Sequence, residues 1–260
     1  MKVLPDNLLE AKSLTKNFGG LAAVSEVSFH IAQGEAIGLI GPNGAGKTTM
    51  FNLLTGVHQP SSGSIRFRGE DLVGLTPYEI TRKGLVRSYQ TTRVLQGLSV
   101  LENVLTGFHC RTGCGLFSAI FRTPSFRREE TASQARAREI LDLMELSPWV
   151  DEEASEIPQA AQRRLAIATA LATRPELLLL DEPAVGMNPQ ETNEMMDLIK
   201  KIQKQGTTIL LIEHDMKVIM DICQRIMVLN YGEKIAEGSP AEIQNNQAVI
   251  EAYLGSDDYA

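Results

Sequence analysis

The chain has 260 residues, 43% of them hydrophobic, enough to bury one large core with or without an inserted lobe. Its net charge of −7 excludes a general basic footprint for nucleic acid, and no nucleic-acid partner is expected. Cys110, Cys114 and Cys223 are too few, and odd in number, for a disulfide framework and suit a reducing compartment, and with no second ligand pair near His109, Cys110 and Cys114 no metal is assigned there.

The opening MKVLPDNLLEAKSL lacks the apolar core of a signal peptide. Apolar runs such as LLLL at 177–180 and ILLI at 209–212 fall far short of the ~20 residues that span a bilayer, so a membrane link is expected only through a partner. Residues 22–32 partly alternate apolar and polar side chains, and 35–40 form a short apolar run ending in a glycine-rich turn, which predicts two strands and a loop. From Gly46 the pattern Met50, Phe51, Leu53, Leu54 predicts a helix stopped by Gly56. GSIRFRG and GLVRSYQ read as further strands around a helix starting near Pro77. From 99 to about 172 the texture turns helical, with Ala137, Ile140, Leu141 and Met144 on one face, as expected of an inserted helical lobe. Strand character returns at 177–181, 207–212 and 225–229, around a helix that places Met195, Leu198, Ile199 and Ile202 together. That alternation predicts a largely parallel sheet, and the tail from PAEIQ predicts one or two short helices.

Two segments carry chemistry. Gly41-Pro42-Asn43-Gly44-Ala45-Gly46-Lys47-Thr48 matches the phosphate-loop pattern in a strand-to-helix context. Its glycines let backbone amides approach phosphate oxygens, the helix N-terminus adds positive potential, Lys47 neutralises the β- and γ-phosphates, and Thr48 can bind Mg²⁺. LLLLDEP then ends a buried strand on an acid pair: Asp181 to hold Mg²⁺ and Glu182 to orient or deprotonate a water.

With these two segments in order, the chain resembles the ATP-binding subunits of ABC transporters along nearly its whole length. The resemblance implies an α/β P-loop ATPase core with a mostly parallel sheet, an N-terminal antiparallel β region and an inserted helical subdomain. It places the core at about 1–90 and 174–240, the helical subdomain at about 91–173 and a helical tail at 241–260. It also implies roles: Gln90 in VRSYQ as the glutamine that joins core to lobe and serves the metal, His214 in LLIEHD as the switch histidine at the γ-phosphate, Phe18 in KNFGG as the adenine-stacking aromatic, and Thr49 beside Thr48 in the nucleotide site. GLFSAIFRTPSFRREE, DEPAVGMNP and VIEAYLG narrow the resemblance to the larger ATPase subunit of branched-chain amino-acid importers. Such a subunit uses ATP and Mg²⁺ at the cytoplasmic face of the inner membrane. Its implied partners are a second ABC ATPase, two permease subunits and, indirectly, an extracytoplasmic solute-binding protein. Residues 115–130, which mix apolar side chains with arginines, read equally as a docking surface or as a loop packed on its own lobe.

One segment departs from the family pattern. Where ABC ATPases carry LSGGQ ahead of a helix, and the importer subunits it resembles typically LPYGQ, this chain has Ile157-Pro158-Gln159-Ala160-Ala161, so that Pro158 is an expected variation whereas Gln159, Ala160 and Ala161 depart. A β-carbon where glycine approaches phosphate or adopts positive φ costs on the order of 1–2 kcal/mol, and Pro158 has no amide hydrogen to donate. Losing one positioned donor costs about 10²–10³ in rate. The expectation is a weak contribution to the partner's site, which favours a heterodimer over a homodimer, unless a helix starting at 162 still presents its amides. The competing readings are a regulatory subunit that barely hydrolyses ATP and a soluble, non-transport ABC ATPase.

Overall fold

Side-chain alternation along four buried strands sets the layering. In β3 (Ala36–Ile40), β7 (Leu177–Asp181), β8 (Thr208–Ile212) and β9 (Arg225–Asn230), nearly every residue is buried on one face or the other. Ile37, Leu39, Leu177, Leu179, Leu210, Ile212, Met227 and Leu229 belong to one core. The residues between them, Ala36, Ile40, Leu178, Leu180, Ile209, Leu211, Ile226 and Val228, belong to a second core on the opposite face. The computed structural model describes residues 7–88, 94–108, 124–213 and 215–254, the side chains of 124–127, 129 and 254 excepted.

These strands form a six-stranded sheet of order β10-β9-β3-β8-β7-β6, with β6 at Leu85–Ser88 and β10 at Glu233–Gly238. It is parallel from β9 through β6, and β10 adds antiparallel to β9. A second, antiparallel sheet of order β2-β1-β4-β5 comprises β1 (Asn7–Phe18), β2 (Leu21–Ala32), β4 (Ser62–Phe67) and β5 (Glu70–Asp71). The first core lies between the sheets and includes Met50, Phe51, Leu53 and Leu54 of α1 (Lys47–Leu54). The predicted α/β class, with a mostly parallel sheet and an antiparallel N-terminal region, is the observed one.

The second core packs the other helices on the far face. α3 (Val100–Phe108), α4 (Pro124–Leu143) and α5 (Gln159–Ala172) form the helical lobe, and the stripe Ala137, Ile140, Leu141, Met144 is buried as its spacing requires. α6 (Pro189–Lys204) buries Met195, Leu198, Ile199 and Ile202. α2 (Pro77–Lys83), α6 and α8 (Pro240–Gln244) each begin with a proline after a Thr76, Asn188 or Ser239 cap that exchanges hydrogen bonds with a glutamate three residues on. α7 (Met216–Ile222) and α9 (Gln247–Leu254) complete the chain. Sequence patterning assigns no element to 7–18, 216–222 or 233–238, where the structure has β1, α7 and β10. No described helix is long and apolar enough to cross a membrane.

Candidate active site

The phosphate loop leaves β3 at Gly41, whose φ is +151°. A Cβ on this residue would lie 2.1 Å from the Leu229 carbonyl, so only glycine lets β3 turn this close to β9. Gly46, with φ +103°, caps α1. The loop is braced from two distant parts of the chain: the Gly232 N–H donates to Ala45 O at 3.0 Å, and Gly232 O accepts from Ser25 N at 2.8 Å. Lys47 is buried and its Nζ donates to Gly41 O at 2.6 Å and Pro42 O at 3.0 Å, which holds an ammonium inside the curve of the loop.

A cleft of about 280 Å³ opens over this loop, lined among others by Asn43 through Thr49, Glu182 and Tyr231. Gly41 and Pro42, the first residues of the loop, are buried, whereas Thr48 is exposed. Glu182 enters the cleft from the end of β7 with a left-handed φ of +50°, its N–H donating to Ile212 O at 2.9 Å. A non-glycine residue in that region costs roughly 1 kcal/mol or more, and the β7–β8 pairing holds it there. Asp181, the residue before it, is almost fully buried and forms an ion pair with Arg87 of β6. Arg87 also donates to Asn52 Oδ1 of α1 at 2.7 Å and stacks over Phe51 at 5.4 Å.

The fold therefore brings the loop 41–49, Asp181 and Glu182 together. Phe18 sits at the end of β1, exposed, with its ring edge-on to His58 at 5.2 Å and under Lys16 Nζ at 5.1 Å. Leu21 and Tyr231 line the cleft itself. Gln90 and His214 lie outside the described residues, as do His109, Cys110, Cys114 and the stretch 115–123. Burial pushes the Cys223 thiol up to about 12, with the Glu35 charge adding to it, so it is no nucleophile at neutral pH.

Sequence reasoning misses Arg87, Asn52, Leu21, Tyr231 and Glu213. The last directly follows β8, is buried, and accepts from Ala184 N at 2.9 Å just past the acid pair. A charge closing an apolar strand, as in LLIE, was the one available signal for Glu213.

At the departure segment the structure corrects the expected cost. α5 begins at Gln159, not at 162, so Gln159, Ala160 and Ala161 form its first turn. None of them has a positive φ, and the strain anticipated for Ala160 is absent. Pro158 caps the helix with no side-chain acceptor. Gln162 instead braces the entry, its Nε2 donating to Ile157 O at 3.0 Å and its N–H to Pro158 O at 2.9 Å. First-turn amides have no acceptor one turn back, so an anion-facing helix end persists without glycine.

The donor set suits Mg²⁺ shared with a nucleotide: the Thr48 hydroxyl on the cleft and the buried carboxylate of Asp181, the residue before Glu182, offer hard oxygen donors. Among the described residues no group of three His, Cys, Asp or Glu could cage a metal by itself.

The family model described as ABC transporter matches residues 24–185, and that described as branched-chain amino acid ATP-binding cassette transporter matches 233–259. The chain is 47% identical to the high-affinity branched-chain amino acid transport ATP-binding protein LivG of Salmonella typhimurium, covering 95% of this chain and 98% of that one. It is 43% identical to BraF of Pseudomonas aeruginosa, again over 95% and 98%. Among solved structures, the ADP conformation of MJ1267, an ATP-binding cassette of an ABC transporter, superposes with a TM-score of 0.84 at 30% identity, covering 96% and 99%. The phosphate loop and the acid pair fall within the matched segment, and with these likenesses end to end the chain belongs to the ABC transporter family, among its branched-chain amino acid transport ATP-binding proteins.

Proposed function

We propose that this chain binds ATP·Mg²⁺ in the cleft over residues 41–49 and hydrolyses it to power import of branched-chain or related amino acids through separate permease subunits, docked at the cytoplasmic face of the membrane. The carrying observation is that Glu182 lines the same cleft as Lys47 and Thr48. In this reading the loop amides and Lys47 hold the β- and γ-phosphates, Glu182 polarises a water for in-line attack, and His214 and Gln90 complete the γ-phosphate site. Bound Mg²⁺, held by Thr48, Asp181 and Gln90, would supply charge neutralisation of the phosphates. Phe18 stacks on the adenine from the outer rim. The solute is drawn from the printed names of LivG and BraF.

Two cassettes would share two sites, each pairing one chain's phosphate loop with the other chain's residues at 157–161. The helical first turn of α5 keeps amides there but lacks the donor at Pro158. That asymmetry favours a heterodimer with a second ATPase, and a solute-binding protein would act through the permeases. Glu182→Gln should retain ATP binding yet lower turnover of the assembled complex by at least about 10²-fold. Turnover equal to that of the parent would remove Glu182 from the catalytic role.

A further inference from the structure

Arg87 sits against the acid pair, and the proposed chemistry leaves it without a role. Its side chain is 7% exposed and that of its partner Asp181 is 4% exposed, so each charge depends on the other for compensation. Another nitrogen of the fork reaches Asn52 Oδ1 at 2.7 Å, and the guanidinium lies 5.4 Å from the Phe51 ring centroid. The strand β6 that carries Arg87 pairs directly with β7, with Arg87 opposite Leu179 and Ser88 opposite Leu180, so the contact is built into the sheet register.

A buried carboxylate that already satisfies a guanidinium is a different metal ligand from a bare one. We infer that Arg87 is a positioning residue that serves as the resident counter-cation of Asp181, holding the carboxylate in place between turnovers and weakening the site's hold on the nucleotide's divalent cation. This rests on the reading of Asp181 as a metal ligand. A fixed positive charge beside that carboxylate opposes a second cation, and low local dielectric enlarges the effect. Arg87 thereby keeps the metal exchangeable with each nucleotide, and its hold on Asn52 ties that setting to α1, the helix that follows the phosphate loop.

The test uses the isolated full-length chain and its melting temperature at fixed ADP across a Mg²⁺ titration. R87M should lower the melting temperature without metal, because Asp181 loses its partner, while shifting the Mg²⁺ midpoint at least about threefold lower. R87Q, neutral but able to hydrogen-bond, should move the midpoint the same way if R87M folds poorly, and R87K, which keeps the charge, should stay near the parent. The double variant R87M/D181N should melt higher than the two single losses predict by addition. A purely structural role for Arg87 would lower stability but could not tighten metal binding. A parent metal-linked shift that D181N abolishes, joined to an R87M or R87Q midpoint equal to or above the parent's, overturns the inference alone. A parent shift that survives D181N overturns the placement of the metal at Asp181 and this inference with it.

Discussion

Ala160 shows how a single residue can be misjudged from a motif. Read as a lost glycine it implies strain, but its backbone is helical, so a glycine there would gain no conformation that alanine lacks. Ala160→Gly should therefore cost the chain about 0.5–1 kcal/mol in a urea melt. ATPase turnover of the assembled complex should change by less than about tenfold, well below the worth of one positioned donor. A hundredfold gain would mean that the β-carbon itself blocks the partner's phosphate. At this scale the strand, turn and helix around the phosphate loop were legible, because its glycines, Lys47 and Thr48 are contiguous, but the bracing by Leu229 and Gly232 was not. The Arg87–Asp181 pair was not, because its members are 94 residues apart and meet only through strand order.

Elements were legible where burial imposes a period. The parallel strands read as short apolar runs, and the buried faces of α4 and α6 read from 3.6-residue spacing. β1 hid because its register shifts between Asn7 and Leu9, Ala11 and Leu14, Leu14 and Lys16, and Lys16 and Asn17, so no single alternation runs through it. β10 hid because most of its residues are half-buried, leaving no apolar face to detect. Helix contact in the lobe depends on a small residue that no periodicity flags. A Cβ on Gly107 of α3 would lie 2.4 Å from Thr169 O of α5. Gly107→Ala should push these helices apart and cost about 1–3 kcal/mol in chemical denaturation, with ADP binding in the cleft retained. An undiminished midpoint would show that α3 yields without cost.

Across the whole molecule, the two sheets are joined by charge as well as by core. Arg225 of β9 donates to Glu35 at 2.7 and 2.8 Å and to His30 O of β2 at 2.6 Å, and also pairs with Glu237 of β10. Burial pushes the Glu35 carboxyl up, but the Arg225 hydrogen bond, the Ala32 N–H and the Arg225 charge together bring it below its ordinary 4.5. A carboxyl lowered by folding stabilises above its unfolded pKa and loses that contribution as pH falls through its folded value. Stability should thus hold above about pH 5 and decline below it, steepened by Glu79, Glu102, Glu153 and Glu242, which local hydrogen bonds also lower. Glu35→Gln should lower stability at neutral pH and flatten the acid slope of the unfolding free energy. An unchanged slope would place the acid sensitivity elsewhere.

The bracing of the phosphate loop by Leu229 and Gly232 has a consequence for the order of events during synthesis. The loop's own residues leave the ribosome well before their braces, because the carbonyl against Gly41 and the amide that holds Ala45 are encoded almost 190 residues later. The nucleotide pocket is finished only when β9 slides in beside β3 and the turn after it closes. Nascent chains cut off before that turn would carry every letter of the phosphate-binding motif and still lack the contacts that brace it, so nucleotide capture should follow the synthesis of β9 rather than that of the loop.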